Sequence, residues 1–406
     1  MKLRKVLRSL ENPDTFRETI TSEFLMFCSD ENRGLSTDEK VFSAIIDSLD
    51  IKLRHLGYTV SQMSYPFNLK VGASCFREVR SFSRAYLIAA VTDRVVRFFG
   101  LRRKYSRVIL YEKILDIAKP LCVIGIGLSP HLIAAARNKS IKTIEILHGI
   151  GYPEIPWGWE DLSLPELPSA VFSLDSVSTE VFSKLKDGKL PIFEIPHPLY
   201  ANQELINPYI EDALKADKIK AGQRIRVLFS LGWGMKRMRK RLGISHLPFI
   251  EDVLPEFFQT LLDETRDSHY WLLRLHPAQL RNSDFKNQCE LIEELCGRNE
   301  NCEWELATSV PLHNILSIVD GHITVNSMTC YECALFGVKS YVFLKSIDPY
   351  NAKFKDLREE GFVEDASFEI EDCIRWLSNL TRMESRKFSC ATEKNLSNAL
   401  QWVQKA

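Results

Sequence analysis

The chain has 406 residues, of which 45% are hydrophobic and 26% are charged, a composition typical of soluble globular proteins. Its 53 basic and 53 acidic residues leave no formal net charge, so the overall balance does not favour nucleic acid as a partner. The length exceeds what one ordinary hydrophobic core fills, and we therefore expect two domains.

Neither a membrane-spanning helix nor a secretory signal is expected. The longest apolar candidate, residues 121–136, is interrupted by Pro130 and His131, whereas a spanning helix needs about 18 or more apolar residues in a row. The basic start of the chain is not followed by an apolar stretch, as a signal peptide would require. Ten cysteines are scattered along the chain, with one C-x-x-C pair at Cys330 and Cys333. We expect reduced, mostly buried thiols and no metal site.

In the first half, short apolar runs alternate with amphipathic stretches, which is typical of a parallel sheet with crossover helices. In chain order the predicted elements are a strand at 24–28, helices at 39–56, 85–99 and 106–118, a strand at 121–126, a helix at 131–138, and strands at 142–147, 170–174 and 192–195.

A polar stretch without a clear strand follows, and we place a linker at 201–222. Beyond it the predicted elements are a strand at 226–231, a helix at 247–266, a strand at 271–275, a helix at 285–296, a strand at 302–306, a helix at 310–318, a strand at 322–325, a helix at 329–336, a strand at 341–344 and helical sequence at 368–403. The pattern predicts Rossmann-like domains at 1–200 and 223–365 that face each other across a cleft. Helices at 366–406 could cross back over the first domain.

The best candidate site follows two predicted strands of the second domain. His276 and Pro277 follow one strand, and the loop from Asn326 to Thr329 follows another. Ligands of open parallel sheets bind outside the carboxyl ends of the strands, so we expect an imidazole and a hydroxyl cluster to converge there. His276, with Arg274 nearby, would bind a phosphate oxygen and stabilise a leaving group electrostatically or by protonating it. A structural role for a lone histidine at a strand end is equally compatible with the sequence.

Asn326, Ser327 and Thr329 precede a predicted helix. Ser and Thr are ordinary helix N-caps. The alternative keeps the cap and adds a ligand, because hydroxyls and free backbone N–H groups can bind a phosphate where the helix dipole favours negative charge. Glu332, one turn further on, could accept hydrogen bonds from a ribose or simply complement the dipole.

Two glycine-containing turns extend the candidate site. Gly232 and Trp233 follow a predicted strand and would allow a ligand close to the backbone, although the full glycine motif for a nucleotide is missing. In the first domain, His148, Gly149 and Tyr152 lie in a loop after another strand. They either terminate the strand or line the binding site of an acceptor substrate.

A group transfer with inversion needs a carboxylate or imidazole that deprotonates the acceptor hydroxyl. Asp30 and Glu31 follow the first predicted strand, at the appropriate edge of the sheet, and the other acids in loops of this domain are Glu154, Glu160 and Asp161. The sequence does not rank these acids, and Asp30 is taken as the candidate base.

Three basic clusters lie at residues 2–8, 94–107 and 236–241. Such runs are usually solvated surface. In the first two clusters apolar residues interleave with the charges, so peripheral contact with an anionic membrane is the alternative.

These motifs have a family likeness. His276-Pro277, Asn326-Ser327 with the run from Glu332 to Gly337, and the His148-Gly149 loop resemble bacterial glycosyltransferases of the GT-B fold, namely the sialyltransferases and Kdo transferases of capsule and lipopolysaccharide synthesis. That family shares a His-Pro and a Ser/Thr motif, used on CMP-activated sugars. The CDP-glycerol polymerases of teichoic acid synthesis look distantly similar. The likeness spans most of the chain in outline and short motifs in detail.

The resemblance implies roles for the motif residues. His276 and Pro277 would contact the CMP phosphate, Ser327 and Thr329 would hold the phosphate or leaving group, and Glu332 would lie near the ribose. Residues 223–365 would then bind the nucleotide sugar, and residues 1–200 would bind a glycan or glycolipid acceptor. The His148 loop would face the sugar or the acceptor.

The expected protein is thus a cytoplasmic, metal-independent glycosyltransferase without a cofactor. Peripheral contact with the inner face of the cytoplasmic membrane is left open as an alternative. The absence of an Asp-x-Asp motif in the sequence agrees with metal independence. The alternatives are a UDP-sugar transferase or epimerase of the same fold, and a non-catalytic partner in polysaccharide assembly.

Overall fold

The computed structural model describes residues 2–37, 40–99, 105–152, 154–202, 221–232, 234–276, 279–280, 283–349, 351, 353–386 and 390–405. The chain divides into two compact units. The first comprises Met1–Ala213 with Phe388–Ala406, and the second comprises Leu214–Lys387. Most of the predicted linker at 201–222 lies outside the described residues.

The first unit contains a seven-stranded sheet and a small antiparallel hairpin. Its strands are β1 Phe24–Cys28, β2 Leu35–Thr37, β3 Lys40–Phe42, β4 Val60–Ser64, β5 Val79–Arg80, β6 Cys122–Gly125, β7 Lys142–Ile146, β8 Ala170–Ser173 and β9 Ile192–Glu194. The large sheet has the order β5-β4-β1-β6-β7-β8-β9, and each neighbouring pair is parallel. Strand β1 is apolar and buried along its whole length, as expected for a central parallel strand covered on both faces.

The helices of this unit, up to residue 201, are α1 Lys2–Ser9, α2 Ile46–His55, α3 Ser83–Phe98, α4 Ser106–Ala118, α5 Pro130–Asn138, α6 Ser176–Ser183 and α7 Pro198–Ala201. Short 3₁₀ turns occupy Phe16–Glu18, Asp30–Asn32, Trp159–Asp161, Leu164–Glu166 and Leu185–Gly188. Apolar side chains from α3, α4 and α5 pack on β1, β4 and β6 to form a core of this unit.

The second unit repeats the plan with a six-stranded sheet. Its strands are β10 Ile225–Ser230, β11 Phe249–Ile250, β12 Leu254–Pro255, β13 His269–Arg274, β14 Cys302–Glu303, β15 Gly321–Thr324, β16 Lys339–Val342 and β17 Val363–Asp365. The order is β14-β13-β10-β15-β16-β17, again with parallel neighbours.

Its helices are α8 Met235–Leu242, α9 Phe258–Glu264, α10 Lys286–Arg298, α11 Glu305–Ser309, α12 Leu312–Ile318, α13 Thr329–Leu335, α14 Leu344–Ile347, α15 Lys355–Glu359 and α16 Ile370–Ser378, with a 3₁₀ turn at Ser283–Phe285. The last helix, α17 Cys390–Gln404, belongs to the first unit. There the Asn395 amide donates to the Glu194 carbonyl over 3.1 Å, and the Lys142 ammonium lies 4.0 Å from the Trp402 ring centroid.

Two long predicted helices are wrong in part, and local hydrogen bonds explain the first. The predicted helix 39–56 begins as strand β3, and only Ile46–His55 is helical. The Ser43 hydroxyl accepts the Ile46 N–H over 3.2 Å, and the Asp47 carboxylate accepts the Ser43 N–H over 2.6 Å. These bonds start the helix at residue 46 and leave residues 40–42 free to pair with β2.

The second, predicted at 247–266, contains the β11–β12 hairpin and a helix over Phe258–Glu264 only. Pro248 precedes the hairpin and Pro255 ends its second strand, and a proline disfavours helical conformation in the residue before it. Glu251 and Asp252 turn the chain with positive φ angles of 48° and 60°.

Three smaller differences between the predicted and observed elements concern helices. The predicted strand 302–306 stops at Glu303, whose carboxylate accepts the N–H groups of Leu306 and Ala307 and so begins α11. The basic run at 236–241 is part of α8, which was not predicted. The predicted helical stretch 368–403 consists of two helices, α16 and α17, with non-helical residues between them.

The strand order positions the candidate sites. In both sheets the chain starts in the middle, adds two strands on one side, and returns to add the remaining strands on the other side. This is the dinucleotide-binding order, in which ligands bind where the direction reverses, outside the carboxyl ends of the two central strands. Those points lie at the ends of β1 and β6 in the first unit, and of β10 and β15 in the second.

None of the helices in the described part of the chain is both long enough and apolar enough to cross a bilayer.

Candidate functional site

The strands of the second sheet bring three predicted site residues, Gly232, His276 and Asn326, to the same edge of the sheet. Ser230, Arg274 and Thr324 end β10, β13 and β15 and lie directly beside one another in the parallel register. Gly232, His276 and Asn326 each come two residues later in the chain. Because adjacent strands are about 4.8 Å apart, the outer two of these three loops leave the sheet about 10 Å from each other. A phosphorylated group could contact both.

Gln279 connects two of these loops, and its role was not apparent from the sequence. Its side chain is only 2% exposed. The amide oxygen accepts the His276 N–H over 2.7 Å, and the amide nitrogen donates to the Gly232 carbonyl over 3.4 Å. Gln279 therefore fixes the backbone of the His276 turn against the end of β10. Its partners could not be read from sequence, since one of them is 47 residues away.

The His276 side chain is exposed, so it is accessible to a ligand. Two predicted site residues beside this edge, Trp233 and Pro277, lie outside the described residues. The turn that follows is closed by a hydrogen bond of 2.8 Å from the Gln279 N–H to the His276 carbonyl.

The loop after β15 presents hydroxyl groups at the same edge. Asn326, Ser327 and Thr329 are partly exposed. The Ser327 hydroxyl donates to the Thr329 hydroxyl over 2.9 Å and accepts the Thr329 N–H over 3.3 Å. Helix α13 has only seven residues. Its dipole is therefore smaller than that of a longer helix and attracts a phosphate less strongly than the sequence suggested.

A half-buried lysine supplies the positive charge that the short helix does not. The Lys353 ammonium donates a hydrogen bond to the Asn326 carbonyl, directly under the candidate loop. Burial lowers the pKa of Lys353 to about 8, because removing the ammonium from water disfavours its charged form. Sequence reasoning missed Lys353, which lies 27 residues further along the chain in a stretch without a recognisable motif.

Two other predicted donor-site residues have different surroundings. The Arg274 guanidinium donates to the Val310 carbonyl over 2.8 Å and also to the Ala307 carbonyl. It thereby satisfies carbonyl groups at the end of α11, which is a structural role. Glu332 lies in the first turn of α13 and is partly exposed, a position compatible with the predicted ribose contact.

Behind this edge, His322 holds three strands together. Its ring nitrogens lie 3.0 Å from the Ser230 hydroxyl and 2.8 Å from the Ser340 hydroxyl. Burial lowers the pKa of His322 to about 3, so the ring is neutral at physiological pH. It is part of the support for the site and not accessible to a ligand.

In the first unit, a buried carboxylate organises the loop after β6. Both oxygens of Glu145 accept backbone N–H groups, from Gly127 and Leu128. Burial nevertheless raises its pKa to about 8. Beside it, the Tyr65 hydroxyl is buried without a hydrogen-bond partner in the described ranges. A Cβ on Gly125 would come within 3.0 Å of that hydroxyl, so the strand passes it too closely for a larger residue.

His148 and Tyr152 occupy an aromatic loop after β7. The Tyr152 hydroxyl lies 3.0 Å from His148 Nδ1, and the Trp157 ring centroid lies 6.1 Å from both rings. Desolvation by these neighbours lowers the pKa of His148, although one edge of its ring is exposed. The loop is anchored by Asp175, which accepts the Gly151 N–H over 2.9 Å.

Trp157 was not predicted as a site residue. Its side chain is 49% exposed, and its backbone has a φ of +67°, a left-handed conformation that costs a non-glycine residue about 1–2 kcal/mol. A strained, exposed tryptophan beside a histidine marks a candidate ligand surface. The signal in the sequence was the pair Trp157 and Trp159, two tryptophans in one loop. At Gly149, by contrast, an added Cβ would meet only ordinary contacts.

Asp30 is at the expected edge of the sheet but is already engaged. Its carboxylate accepts the N–H groups of Leu69 and Lys70 over 2.8 and 3.0 Å. The Lys5 ammonium lies 3.4 Å away. These contacts occupy both carboxylate oxygens, so the geometry favours a structural role over that of a base.

Within the described ranges, no cluster of three or more His, Cys, Asp or Glu side chains is placed to hold a metal ion. Cys330 and Cys333 are buried free thiols, and burial raises the pKa of Cys330 to about 12. Such a thiol is a poor metal ligand because the thiolate is disfavoured.

No protein-family model matches this sequence, and no curated protein matches it significantly. Solved structures do match. A variant of the wall teichoic acid polymerase TagF with CDPG has a TM-score of 0.55 at 14% identity, covering 100% of this chain and 97% of that one. The MnaA–UDP structure of S. aureus has a TM-score of 0.54 at 12% identity, covering 95% and 98%. UDP-N-acetylglucosamine 2-epimerase from Rickettsia bellii has a TM-score of 0.52 at 12% identity, covering 95% and 98%.

These likenesses define the fold. The chain has the GT-B fold, with two Rossmann-like domains, and the predicted α/β fold class is confirmed. The family resemblance is confirmed at the level of the GT-B fold, and the finer likeness to sialyltransferases and Kdo transferases stays a prediction.

Proposed function

We propose that this chain is a glycosyltransferase that takes a sugar from a nucleotide-sugar donor. The observation that carries the proposal is the shared level of Gly232, His276 and Asn326 at the central strands of the second sheet, with the Lys353 ammonium bonded to the same loop. Backbone, imidazole and cation together suit a sugar linked to phosphate, whose negative charge grows as the sugar leaves.

In this proposal the His276 imidazole donates a proton or hydrogen bond to the departing phosphate oxygen. The Ser327 and Thr329 hydroxyls bind the other phosphate oxygens, and Lys353 balances their charge. Glu332 accepts hydrogen bonds from the ribose. Gln279 is a positioning residue, because it fixes the turn that carries His276. These groups stabilise the leaving group without a metal ion.

The first unit binds the acceptor in this proposal. His148 is the candidate base, since its lowered pKa keeps the imidazole neutral and able to accept a proton at neutral pH. Tyr152 orients the ring through its hydroxyl, and Gly149 leaves space beside it. This choice replaces Asp30, whose carboxylate is held by two backbone N–H groups.

The acceptor is proposed to be a glycan or glycolipid of a capsule or lipopolysaccharide, and the enzyme is proposed to act in the cytoplasm. A CMP-linked sugar is the donor that the His-Pro and Ser/Thr motifs favour.

Nucleotide binding tests this proposal directly. The melting temperature is measured with CMP, CDP, UMP and UDP at one saturating concentration, because a ligand that binds only the native state stabilises it by an amount that grows with the ratio of its concentration to its Kd. We expect CMP to give the largest increase. Release of free sugar from a CMP-sugar would then show activation of the donor bond. If no nucleotide shifts the melting temperature, the proposal is wrong.

A UDP-sugar epimerase is the second candidate, favoured by the extent of the likeness to the UDP-N-acetylglucosamine 2-epimerase, which covers 95% of this chain. NMR of UDP-N-acetylglucosamine incubated with the protein separates the two. Appearance of a second sugar epimer supports the epimerase, whereas an unchanged UDP-sugar together with CMP-sugar hydrolysis supports the transferase.

A further inference from the structure

Helix α3 in the first unit exposes an apolar stripe. Ile88, Val91, Val95 and Phe98 are spaced three, four and three residues apart and lie on one helix face. Their exposed fractions are 68%, 53%, 49% and 85%. Phe99 continues the stripe at 68% exposure, with its ring centroid 5.4 Å from that of Phe98. Adjacent exposed aromatic rings at a helix end are unusual on a surface that only meets water.

The apolar surface extends into a groove beside α3. The groove lies between α3 and α4, encloses about 700 Å³, and is lined by Ala85, Ile88, Ile109 and Ile117. Lys113 stands at its side. The stripe and the groove thus form one continuous apolar face, which we call the α3 face.

The sequence around the α3 face is mainly basic. Between residues 84 and 107 it has seven basic residues and one acid, Asp93. Three of the basic residues, at 102–104, lie outside the described residues, and Asp116 adds a carboxylate to the lining of the groove. Asp93 is buried, and its carboxylate accepts the Arg107 guanidinium over 2.7 Å and the Ser106 N–H. Its charge is therefore neutralised inside the fold. Arg94 and Arg97 are exposed beside the stripe.

The end of helix α1 lies beside the start of α3. The Arg84 guanidinium, at the start of α3, donates to the carbonyl of Leu10 over 2.8 Å and to that of Glu11 over 3.1 Å. These bonds hold the end of α1 against α3. Helix α1 has no acidic residue, and its Leu7 is 57% exposed beside the exposed Arg8.

This combination identifies the occupant. Exposed apolar side chains flanked by arginines are the composition of helices that lie in the surface of an anionic bilayer, with the apolar groups below the headgroups and the cations among the phosphates. A second copy of the chain would bring arginines against arginines. We propose that the α3 face is a docking surface for an anionic lipid bilayer, which does not depend on whether the chain transfers sugar.

Vesicle co-sedimentation tests the proposal. The full chain is mixed with vesicles of phosphatidylcholine alone or with added phosphatidylglycerol. We expect binding to the anionic vesicles and weak binding to the neutral ones. The apolar variant Ile88→Ser/Phe98→Ser/Phe99→Ser should lose at least roughly tenfold in the partition coefficient, since each large side chain contributes several buried carbon groups.

The charge variant Arg94→Ser/Arg97→Ser should lose roughly fivefold for each arginine, together with part of the salt dependence. The control Leu56→Ser/Leu164→Ser removes two exposed leucines elsewhere in the same unit and should bind as the parent does. Circular dichroism melting shows that each variant is folded.

Three results would overturn the proposal. The parent chain could stay in the supernatant with anionic vesicles, the control could lose as much binding as the apolar variant, or binding could be equal on neutral and anionic lipid. A concentration-dependent dimer in light scattering that the apolar variant abolishes would instead assign the α3 face to a second copy.

Discussion

The two sheets share a strand order but differ in what they present at their carboxyl ends. The edge of the second sheet carries His276, hydroxyl groups and the ammonium of Lys353, with the neutral His322 behind it. The edge of the first carries the rings of His148 and Trp157, with the acid Glu145 nearby. The same backbone plan thus suits an anion in one unit and an uncharged, hydroxyl-rich group in the other. The difference resides in loop residues and not in the fold.

The largest effect on activity is expected in the second unit, at the histidine that is proposed to stabilise the leaving group. His276→Ala should lower the turnover of donor hydrolysis by roughly 10²–10⁴-fold, the usual contribution of a general acid. The melting temperature should hardly change, because the side chain is exposed. Initial rates and melting curves measure both quantities.

His246→Ala is the matched control, since His246 is an exposed histidine of the same unit whose Nε2 lies 3.3 Å from a Glu256 oxygen. Full activity in His276→Ala would remove this histidine from the mechanism.

The next effect tests the cation of the second unit. Lys353→Met should weaken nucleotide binding by roughly 10–100-fold, because a hydrogen bond to a charged group contributes about 1.5–3 kcal/mol. Isothermal titration calorimetry measures the Kd at two salt concentrations, and the salt dependence should decrease with the affinity.

The control here is Lys345→Met, since the Lys345 ammonium lies 3.1 Å from the Asp365 carboxylate and not at the candidate loop. An unchanged Kd in Lys353→Met would mean that this ammonium only supports the Asn326 backbone.

The two units should respond to pH in opposite directions. The folded-state pKa of Glu145, about 8, is raised, so its stabilising contribution is present below the unfolded pKa of about 4.5 and is lost as pH rises through 8. The folded-state pKa of His322, about 3, is lowered, so the unfolded state binds more protons and stability is lost as pH falls below about 6.5. Each slope is at most about 1.4 kcal/mol per pH unit.

Hydrogen exchange with mass spectrometry, corrected for intrinsic rates, follows β7 and β15 separately between pH 5 and 8. Glu145→Gln should flatten the dependence of the first unit, and His322→Asn that of the second. Parallel slopes in the two units would contradict this assignment.

The smallest effect concerns the aromatic surface. Trp157→Ala should raise the KM for the acceptor by roughly 2–10-fold with little change in kcat, since a ring contact contributes about 0.5–1.5 kcal/mol. Trp157→Phe should restore most of the affinity. Trp157→Gly should be more stable than Trp157→Ala by about 1 kcal/mol, because glycine relieves the left-handed backbone. An acceptor KM that does not move would show that this ring packs against the loop without touching substrate.

The elements that were predicted well are those whose signal is local. Strand β1 and helix α4 have the predicted bounds, because an apolar run or an amphipathic pattern can be recognised from neighbouring residues alone. Strand β4 was missed because its buried Gln62 looks polar. Only in the fold does Gln62 bond to Asp47 and Asp50, each over 2.8 Å.

The residues of the candidate site likewise fall into those that could be predicted from the sequence and those that could not. The common edge of His276 and Ser327 follows from parallel topology and could be predicted. Gln279, Lys353 and Glu145 could not, since each acts through backbone groups 17 to 47 residues away. The acid chosen from the sequence, Asp30, illustrates the converse, because its position at the strand end was visible and its hydrogen-bond partners were not.

The lowered pKa of Lys353, about 8, has a thermodynamic consequence for ligand capture. An arriving phosphate would restore the full charge of this side chain, so at mildly alkaline pH the protein would absorb hydrogen ions from the buffer as the nucleotide binds. Near pH 8 the uptake would approach about half a proton per molecule. Its size could be read from heats of association in buffers of different ionisation enthalpy. Affinity would then decline in alkaline solution even though the ligand itself no longer titrates there.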